Sequence, residues 1–168
     1  VRSWEETDFY SKRVRAGVKG AAFVAGVMIE CQNAPVDMLM YYDLRPHTSY
    51  NGAFAPYTYD IWPSYWPLYY WAELLDYGTQ VLSVCENEDI YTCAASSGDG
   101  KGVRLLVTRY YKDDDPVPPR EVSISLPDGW QVTSVRITDS EGLDRSIPPG
   151  NALTLESNAI ALLEIGKH

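Results

Sequence analysis

The hydrophobic period of this chain changes near Gly78, from about 3.6 residues to 2, so helices must pack with a sheet rather than form one uniform layer. From Asp8 to about Cys31, Val14, Val18, Ala21, Ala25 and Met28 recur at helical spacing, with Thr7 or Asp8 as start signal and Asn33-Ala34-Pro35 as stop. Gly17, Gly20 and Gly26 interrupt this pattern at about 1 kcal/mol each relative to Ala, which implies close approach to another element. A second helix is predicted from Pro67 to Tyr77, with Leu68, Trp71, Ala72 and Leu75 on one face, Pro67 in the first turn and Gly78 just past the end. Between the two lies Val36 to Tyr42, apolar without alternation. That pattern suggests a strand buried on both faces, as in a parallel sheet.

After Gly78, strands are expected at Val81 to Cys85, Ile90 to Ala95, Val103 to Tyr110, Glu121 to Leu126, Val132 to Thr138, Ala152 to Leu155 and Ile160 to Ile165. Turn residues separate them, among them Ser97-Gly98-Asp99-Gly100, Pro127-Asp128-Gly129 and Pro148-Pro149-Gly150. Short strands with regular turns indicate an antiparallel β-sandwich. In the first hairpin, a turn centred on Asn87-Glu88 places Cys85 opposite Ile90 and Cys93 opposite Leu82, so the two cysteines do not pair. Cys31, Cys85 and Cys93 read as buried thiols.

Charge and composition narrow the function classes. With 14 Lys and Arg against 23 Asp and Glu in 168 residues, the chain carries a formal charge of -9, which argues against nucleic acid as partner. No apolar run reaches the roughly 18 residues of a membrane span. Two histidines and no Cys-x-x-Cys give no basis for a metal site, and no cofactor is expected. Asp113-Asp114-Asp115 lacks the glycine and terminal Glu of a calcium loop and reads as a solvated turn. Glu5 and Glu6 read as acidic residues at a helix N-terminus. No leader-like basic-then-apolar segment is visible, and the compartment is left open.

The first half cannot close a parallel sheet by itself, although Val36 to Tyr42 demands neighbours on both sides. One explanation is that residues 1–78 are the last helix-strand-helix segment of a (β/α)8 barrel, Val1 not being the natural start, and that residues 79–168 are an accessory antiparallel β-sandwich. The fold class expected is then α+β. The other explanation is that Val36 to Tyr42 joins an edge of the sandwich while the helices cover one sheet.

Residues 38–78 carry a family resemblance. Leu39-Met40-Tyr41-Tyr42-Asp43, then Tyr50-Asn51-Gly52-Ala53-Phe54, then Pro67-Leu68-Tyr69-Tyr70-Trp71-Ala72-Glu73-Leu74 resemble the final strand, Gly-Gly-Phe-like loop and last helix of glycoside hydrolase family 39, the β-xylosidases and α-iduronidases. Gly52-Ala53-Phe54 stands where the family has a double glycine, and Trp66 precedes Pro67 where it has Lys. The resemblance implies a retaining glycosidase whose two catalytic carboxylates lie upstream of Val1, so that no catalytic residue is assigned here and the fragment alone is expected to be inactive.

Site residues follow from this placement. Tyr42, Asp43, Arg45 and Asn51 fall at the carboxyl end of the last barrel strand, the face on which barrel active sites are built. Asp43 and Arg45 can position sugar hydroxyls by charge-assisted hydrogen bonds, or can pair with each other to hold the loop. Between Tyr41 and Tyr77 lie 13 of the 21 aromatic residues, and of these Tyr57 and Trp62 are the candidates for contact with sugar faces. Tyr69, Tyr70 and Trp71 are expected in the core. The partner expected is a carbohydrate substrate in the full-length enzyme, and the exposed barrel remnant is expected to drive self-association of the isolated chain. The alternative from another class is a non-catalytic carbohydrate-binding or structural sandwich with a helical cap.

Overall fold

The first helix starts earlier than its hydrophobic pattern. In the computed structural model, which describes residues 3–42, 44–46, 52–115 and 117–167, Ser3 and Glu6 form a capping box: the Ser3 N–H donates to Glu6 Oε2 at 2.7 Å and the Glu6 N–H to Ser3 Oγ at 3.2 Å. This places Glu6 in the helix cap, as its position before a helix suggested. The predicted single helix is two, α1 (Trp4–Arg15) and α2 (Val18–Cys31). The break occurs at Ala16-Gly17, and a Cβ on Gly20 would lie 2.0 Å from the Arg15 carbonyl oxygen, so the turn between the helices requires glycine there. Gly26 faces the sheet, where a Cβ would meet the Tyr91 ring in ordinary contact at 3.4 Å, so α2 lies close on the sheet there without requiring glycine. After a 3-10 turn at Pro63–Tyr65 comes α3 (Trp66–Leu75), followed by Gly78 at φ +78.

The second half forms β1 (Thr79–Val81), β2 (Ile90–Ser96), β3 (Gly102–Tyr110), β4 (Arg120–Ser123), β5 (Trp130–Asp139), β6 (Gly142–Ile147), β7 (Ala152–Leu155) and β8 (Asn158–Lys167). Six of them make an antiparallel sheet in the order β1-β2-β3-β8-β5-β6, and β4 and β7 form a two-stranded ribbon. The ladder of β1 on β2 pairs Val81 with Ala94, the register that the Asn87-Glu88 turn implies. The cysteines lie apart because the two faces of the sheet separate them. Cys93 packs under the helices and Cys85 toward the ribbon, and all three cysteines are free thiols.

Two apolar clusters sandwich the six-stranded sheet. On one face Ala21, Ala22, Ala25 and Ile29 of α2 and Tyr70 and Leu74 of α3 pack on Cys93, Ala95, Leu106, Ile160 and Leu162. On the other, Leu153 and Leu155 of β7 pack on Val107, Val135, Ile137, Ala161, Leu163 and Ile165. Strand β8 is therefore central, and successive residues from Ala159 to Leu163 are buried on alternating sides. The continuous apolar run at β8 has neighbours on both faces.

The similar run Val36 to Tyr42 does not. It forms no strand, and Met38, Leu39, Met40 and Tyr42 are exposed. The expected doubly buried strand is not formed: a strand needs ladder partners, and none of the described residues forms a β-ladder with this segment. Nor does it join an edge of the six-stranded sheet, although the helices do cover one face of that sheet. Strand β6 was not expected, because Gly142-Leu143-Asp144-Arg145-Ser146-Ile147 is a mostly polar edge strand with one neighbour. Leu82 to Cys85, expected as strand, leaves the ladder after Val81.

Candidate functional site

The aromatic-rich loop between the helices is built around the segment Gly52 to Trp62. Ser64, fully buried, donates from Oγ to the Gly52 carbonyl at 2.8 Å and from N–H to the Ala16 carbonyl at 3.3 Å, which ties the loop base to the α1–α2 turn. Phe54 and Ile61 form an antiparallel bridge, and the Trp62 N–H donates to the Ala53 carbonyl at 2.9 Å. The Ala55 N–H donates to the Asp60 carbonyl at 2.8 Å and the Tyr59 N–H to the Ala55 carbonyl at 3.1 Å. The result is a tight hairpin with Tyr57 and Thr58 at its tip. Its closure puts Tyr59 at φ 61, a left-handed conformation costly for a bulky side chain, and Thr58 Oγ1 donates to the Asp60 carboxylate beside it.

Rings continue from this hairpin into α3. Phe54 lies 5.7 Å from Tyr65, Tyr65 stacks on Tyr69 at 5.8 Å and 25°, and Trp66 meets Tyr65 edge-on at 5.6 Å. Offset and edge-on geometries at these separations are favourable and stiffen the array. Tyr70 is fully buried and Trp71 packs against the helix-side core, as expected of core residues, whereas Tyr69 stays at the rim. The rigid base of α3 is bolted to the sheet through Glu73. Its carbonyl accepts from Arg104 Nη1 at 2.6 Å and its carboxylate is ion-paired with Arg136, which also reaches Asp144 at 3.4 Å. Tyr70 Oη donates to Asp144 Oδ1 at 2.8 Å. Burial, together with the Asp144 carboxylate, pushes the Tyr70 phenol well above its ordinary 10.0, and the Glu73 carboxylate raises that of Tyr69.

Of the expected site residues, Tyr57 stands at the hairpin tip with 84% of its surface exposed, and Trp62 sits half-buried at the hairpin's return. Tyr42 and Arg45 come together in the segment before the loop, with Arg45 Nη2 donating to Tyr42 Oη at 3.4 Å. Asp43 and Asn51 lie outside the described residues. Tyr59, 61% exposed beside Tyr57, was not among the site residues; the alternation Tyr57-Thr58-Tyr59-Asp60 was the signal available for it.

The segment Leu39 to Tyr42 forms one wall of a groove of about 650 Å³, whose other wall is Phe23, Val24, Val27 and Met28 on the outer face of α2. Leu68, Tyr110, Lys19 and Arg15 also line it. Such a lining suits hydrophobic packing better than a polar sugar. Carboxylates near the loop have partners of their own: Asp60 with Thr58, Glu73 with Arg136, Glu6 in its cap. Asp114 of the acidic triplet accepts from Lys19 Nζ at 2.8 Å and from Tyr10 Oη at 2.6 Å, which pins that turn to the helices. Among the described residues no three His, Cys, Asp or Glu side chains are grouped to hold a metal ion, and no helix is long and apolar enough to cross a membrane.

No family model and no curated protein matches this chain. Its fold, however, has counterparts among solved structures. It is similar to a glucosidase from Croceicoccus marinus, with TM-score 0.61 and 15% identity over 90% of this chain and 42% of that one. It is similar to a family 30 subfamily 8 glycoside hydrolase, a xylanase from Clostridium acetobutylicum, with TM-score 0.63 and 10% identity over 90% of this chain and 40% of that one. A bifunctional glucanase-xylanase from a metagenome library matches with TM-score 0.64 and 16% identity over 92% of this chain and 29% of that one. At these identities the likeness is one of fold. The chain thus has an α+β fold that recurs within glycoside hydrolases, and it spans between 29% and 42% of their length.

Proposed function

We propose that this chain is the C-terminal part of a retaining glycoside hydrolase acting on oligosaccharides or polysaccharides. In this reading residues 1–78 are the last helix-strand-helix segment of a (β/α)8 barrel and residues 79–168 an accessory β-sandwich. The catalytic carboxylate pair lies on segments outside these residues. The observation that carries the reading is the condition of residues 36–42, which have the composition of a doubly buried strand yet lie in no β-ladder among the described residues and, Tyr41 apart, are exposed beside an apolar groove. Neighbouring barrel strands would pair with this segment, and barrel helices would fill the groove. The partial coverage of three glycoside hydrolases by this fold supports the same reading. Family 39 is its finer form, resting on residues 38–78.

Within the whole enzyme, Tyr42, Asp43 and Arg45 stand at the carboxyl end of the last strand and Asn51, Tyr57 and Trp62 on the loop that follows. Asp43 and Arg45 hold sugar hydroxyls, and Tyr57 and Trp62 offer ring faces to the apolar side of the sugar. The test uses the longer polypeptide and xylo-oligosaccharides as probe. Trp62→Ala or Arg45→Ala is expected to lower kcat/KM by about tenfold or more, corresponding to about 1.4 kcal/mol of lost transition-state binding. Unchanged kcat/KM in both variants contradicts the site.

The exposure of Tyr57 and Tyr59 at a hairpin tip favours a second reading, a non-catalytic carbohydrate-binding module. The 168-residue chain then binds oligosaccharide by itself, and Tyr57→Ala abolishes that binding.

A further inference from the structure

The face of the sheet opposite the helices is unevenly covered. Six strands lie below, but the ribbon above them has two, and beside the ribbon runs an open cleft of about 920 Å³. One wall is the stretch from Val81 to Asn87, which leaves the β1–β2 ladder after Val81; the other is Glu121 to Pro127, which is β4 and its continuation. Its floor includes Val103, Leu105 and Val107 of β3, of which the first two are half-buried.

Among the described residues the β4 wall is a free strand edge. Arg120 pairs with Leu155 and Val122 with Leu153, and the Ile124 N–H donates to the Asn151 carbonyl at 2.8 Å, so the even-numbered residues turn their backbone groups toward β7. In an antiparallel ladder alternate residues point the other way. Glu121, Ser123 and Ser125 therefore direct their N–H and C=O groups along the edge away from β7. The side chains follow the complementary pattern. Val122, Ile124 and Leu126 are half-buried, while Glu121, Ser123 and Ser125 are exposed. Opposite them, the Thr92 hydroxyl donates to Ser83 Oγ at 3.1 Å, so the other wall stays beside β2 in the register set by Val81 and Ala94.

Unpaired backbone groups along one edge, an apolar floor and a length of six to seven residues, about 20 Å at strand rise, form the acceptor of a β-strand. We propose that this cleft receives one further strand, alternating apolar and polar, from a segment of the same polypeptide outside these 168 residues. It pairs with the free edge of β4, lays its apolar side chains on Val103 and Leu105, and makes the second layer three strands wide. The proposal rests on the reading of this chain as part of a longer protein, and the source of the strand follows from the 29% to 42% share of the similar structures that the chain spans. A free edge over an apolar floor is otherwise an aggregation hazard that proteins cover.

Backbone amide hydrogen exchange on the 168-residue chain and on the full polypeptide tests the proposal. The amides of Glu121, Ser123 and Ser125 are expected to exchange at least a hundredfold more slowly in the full polypeptide. Equal rates in the two overturn the proposal, as does a native polypeptide no longer than these residues. Ser123→Pro gives a second measurement, since it removes an edge donor while leaving the β7 ladder intact. It is expected to restore fast exchange at Glu121 and Ser125 in the full polypeptide and to leave their rates in the 168-residue chain unchanged; protection retained in the variant overturns the proposal. Slowed exchange in a full polypeptide that hydrolyses no glycoside sinks the enzymatic reading and leaves the strand in place. Protection confined to residues 36–42 does the reverse.

Discussion

At the scale of single residues, Arg109 uses its charge to join elements. Arg109 is 3% exposed, and its Nε donates to Asp89 at 2.8 Å while Nη1 donates to the carbonyls of Pro118 at 3.0 Å and Leu155 at 3.1 Å. One guanidinium thus fastens the loop before β4 and the end of β7 to the main sheet. Arg109→Leu removes one partner of a buried pair and is expected to cost about 3–5 kcal/mol in urea denaturation. Arg109→Lys is expected to recover little of it, because an ammonium cannot reproduce the planar fork. A loss below about 1 kcal/mol in Arg109→Leu would show that the ribbon is held by packing alone. Tyr70 gives a pH signature. Its folded phenol titrates above 10.0 and its unfolded phenol near that value, so the unfolded chain binds fewer protons once pH exceeds about 10 and stability falls as pH rises. Tyr70→Phe is expected to cost about 1–2 kcal/mol at pH 7 through the lost hydrogen bond to Asp144, and to flatten the alkaline decline between about pH 10 and 12. An alkaline slope identical in the two proteins contradicts the assignment.

At the scale of elements, what was legible depended on whether a segment's apolar pattern matches the neighbours the fold gives it. Strands β2, β3, β5 and β8 fall close to their apolar runs, and α3 follows its Pro67 and Gly78 signals, because each packs on something nearby. The start of α1 was also encoded, in the Ser3-to-Glu6 capping box, but a hydrophobic period begun at Asp8 passed over it. Strand β6 carries too few apolar residues to mark itself, being held by Arg145 on Asp139 at 2.7 Å and by its ladder to β5. Residues 36–42 read as strand and are not, since the apolar pattern reports the burial a segment is suited to, while a strand also needs ladder partners, of which this segment has none among the described residues. Of the site, the aromatic richness was legible, and the closure of the hairpin around a left-handed Tyr59 was not. Gly20 tests the α1–α2 turn. Gly20→Ala sets a Cβ against a backbone oxygen and is expected to cost about 1–3 kcal/mol, whereas Gly98→Ala, with open space around it, is expected to stay within about 0.5 kcal/mol. Equal effects would refute the close approach.

At the scale of the whole molecule, the described residues leave two apolar features open, one on the helix side of the sheet and one on the ribbon side. Met40, on the groove between α2 and Leu39 to Tyr42, is 81% exposed and Met38 beside it 75%, a surface expected to drive self-association of the isolated chain. Sedimentation velocity should show concentration-dependent association that Met38→Glu and Met40→Glu together abolish without lowering Tm; a wild-type chain that stays monomeric at high concentration contradicts this. The proposed function accounts for both features in one way, by the chain folding against more polypeptide of its own. The hydrolysis of xylo-oligosaccharides by the 168-residue chain, set beside that by the polypeptide extended on its N-terminal side, tests this most directly. The extended polypeptide is expected to release reducing sugar with retained anomeric configuration and the 168-residue chain to release none. Hydrolysis by the 168 residues alone, or by neither polypeptide on any glycoside tried, would contradict it.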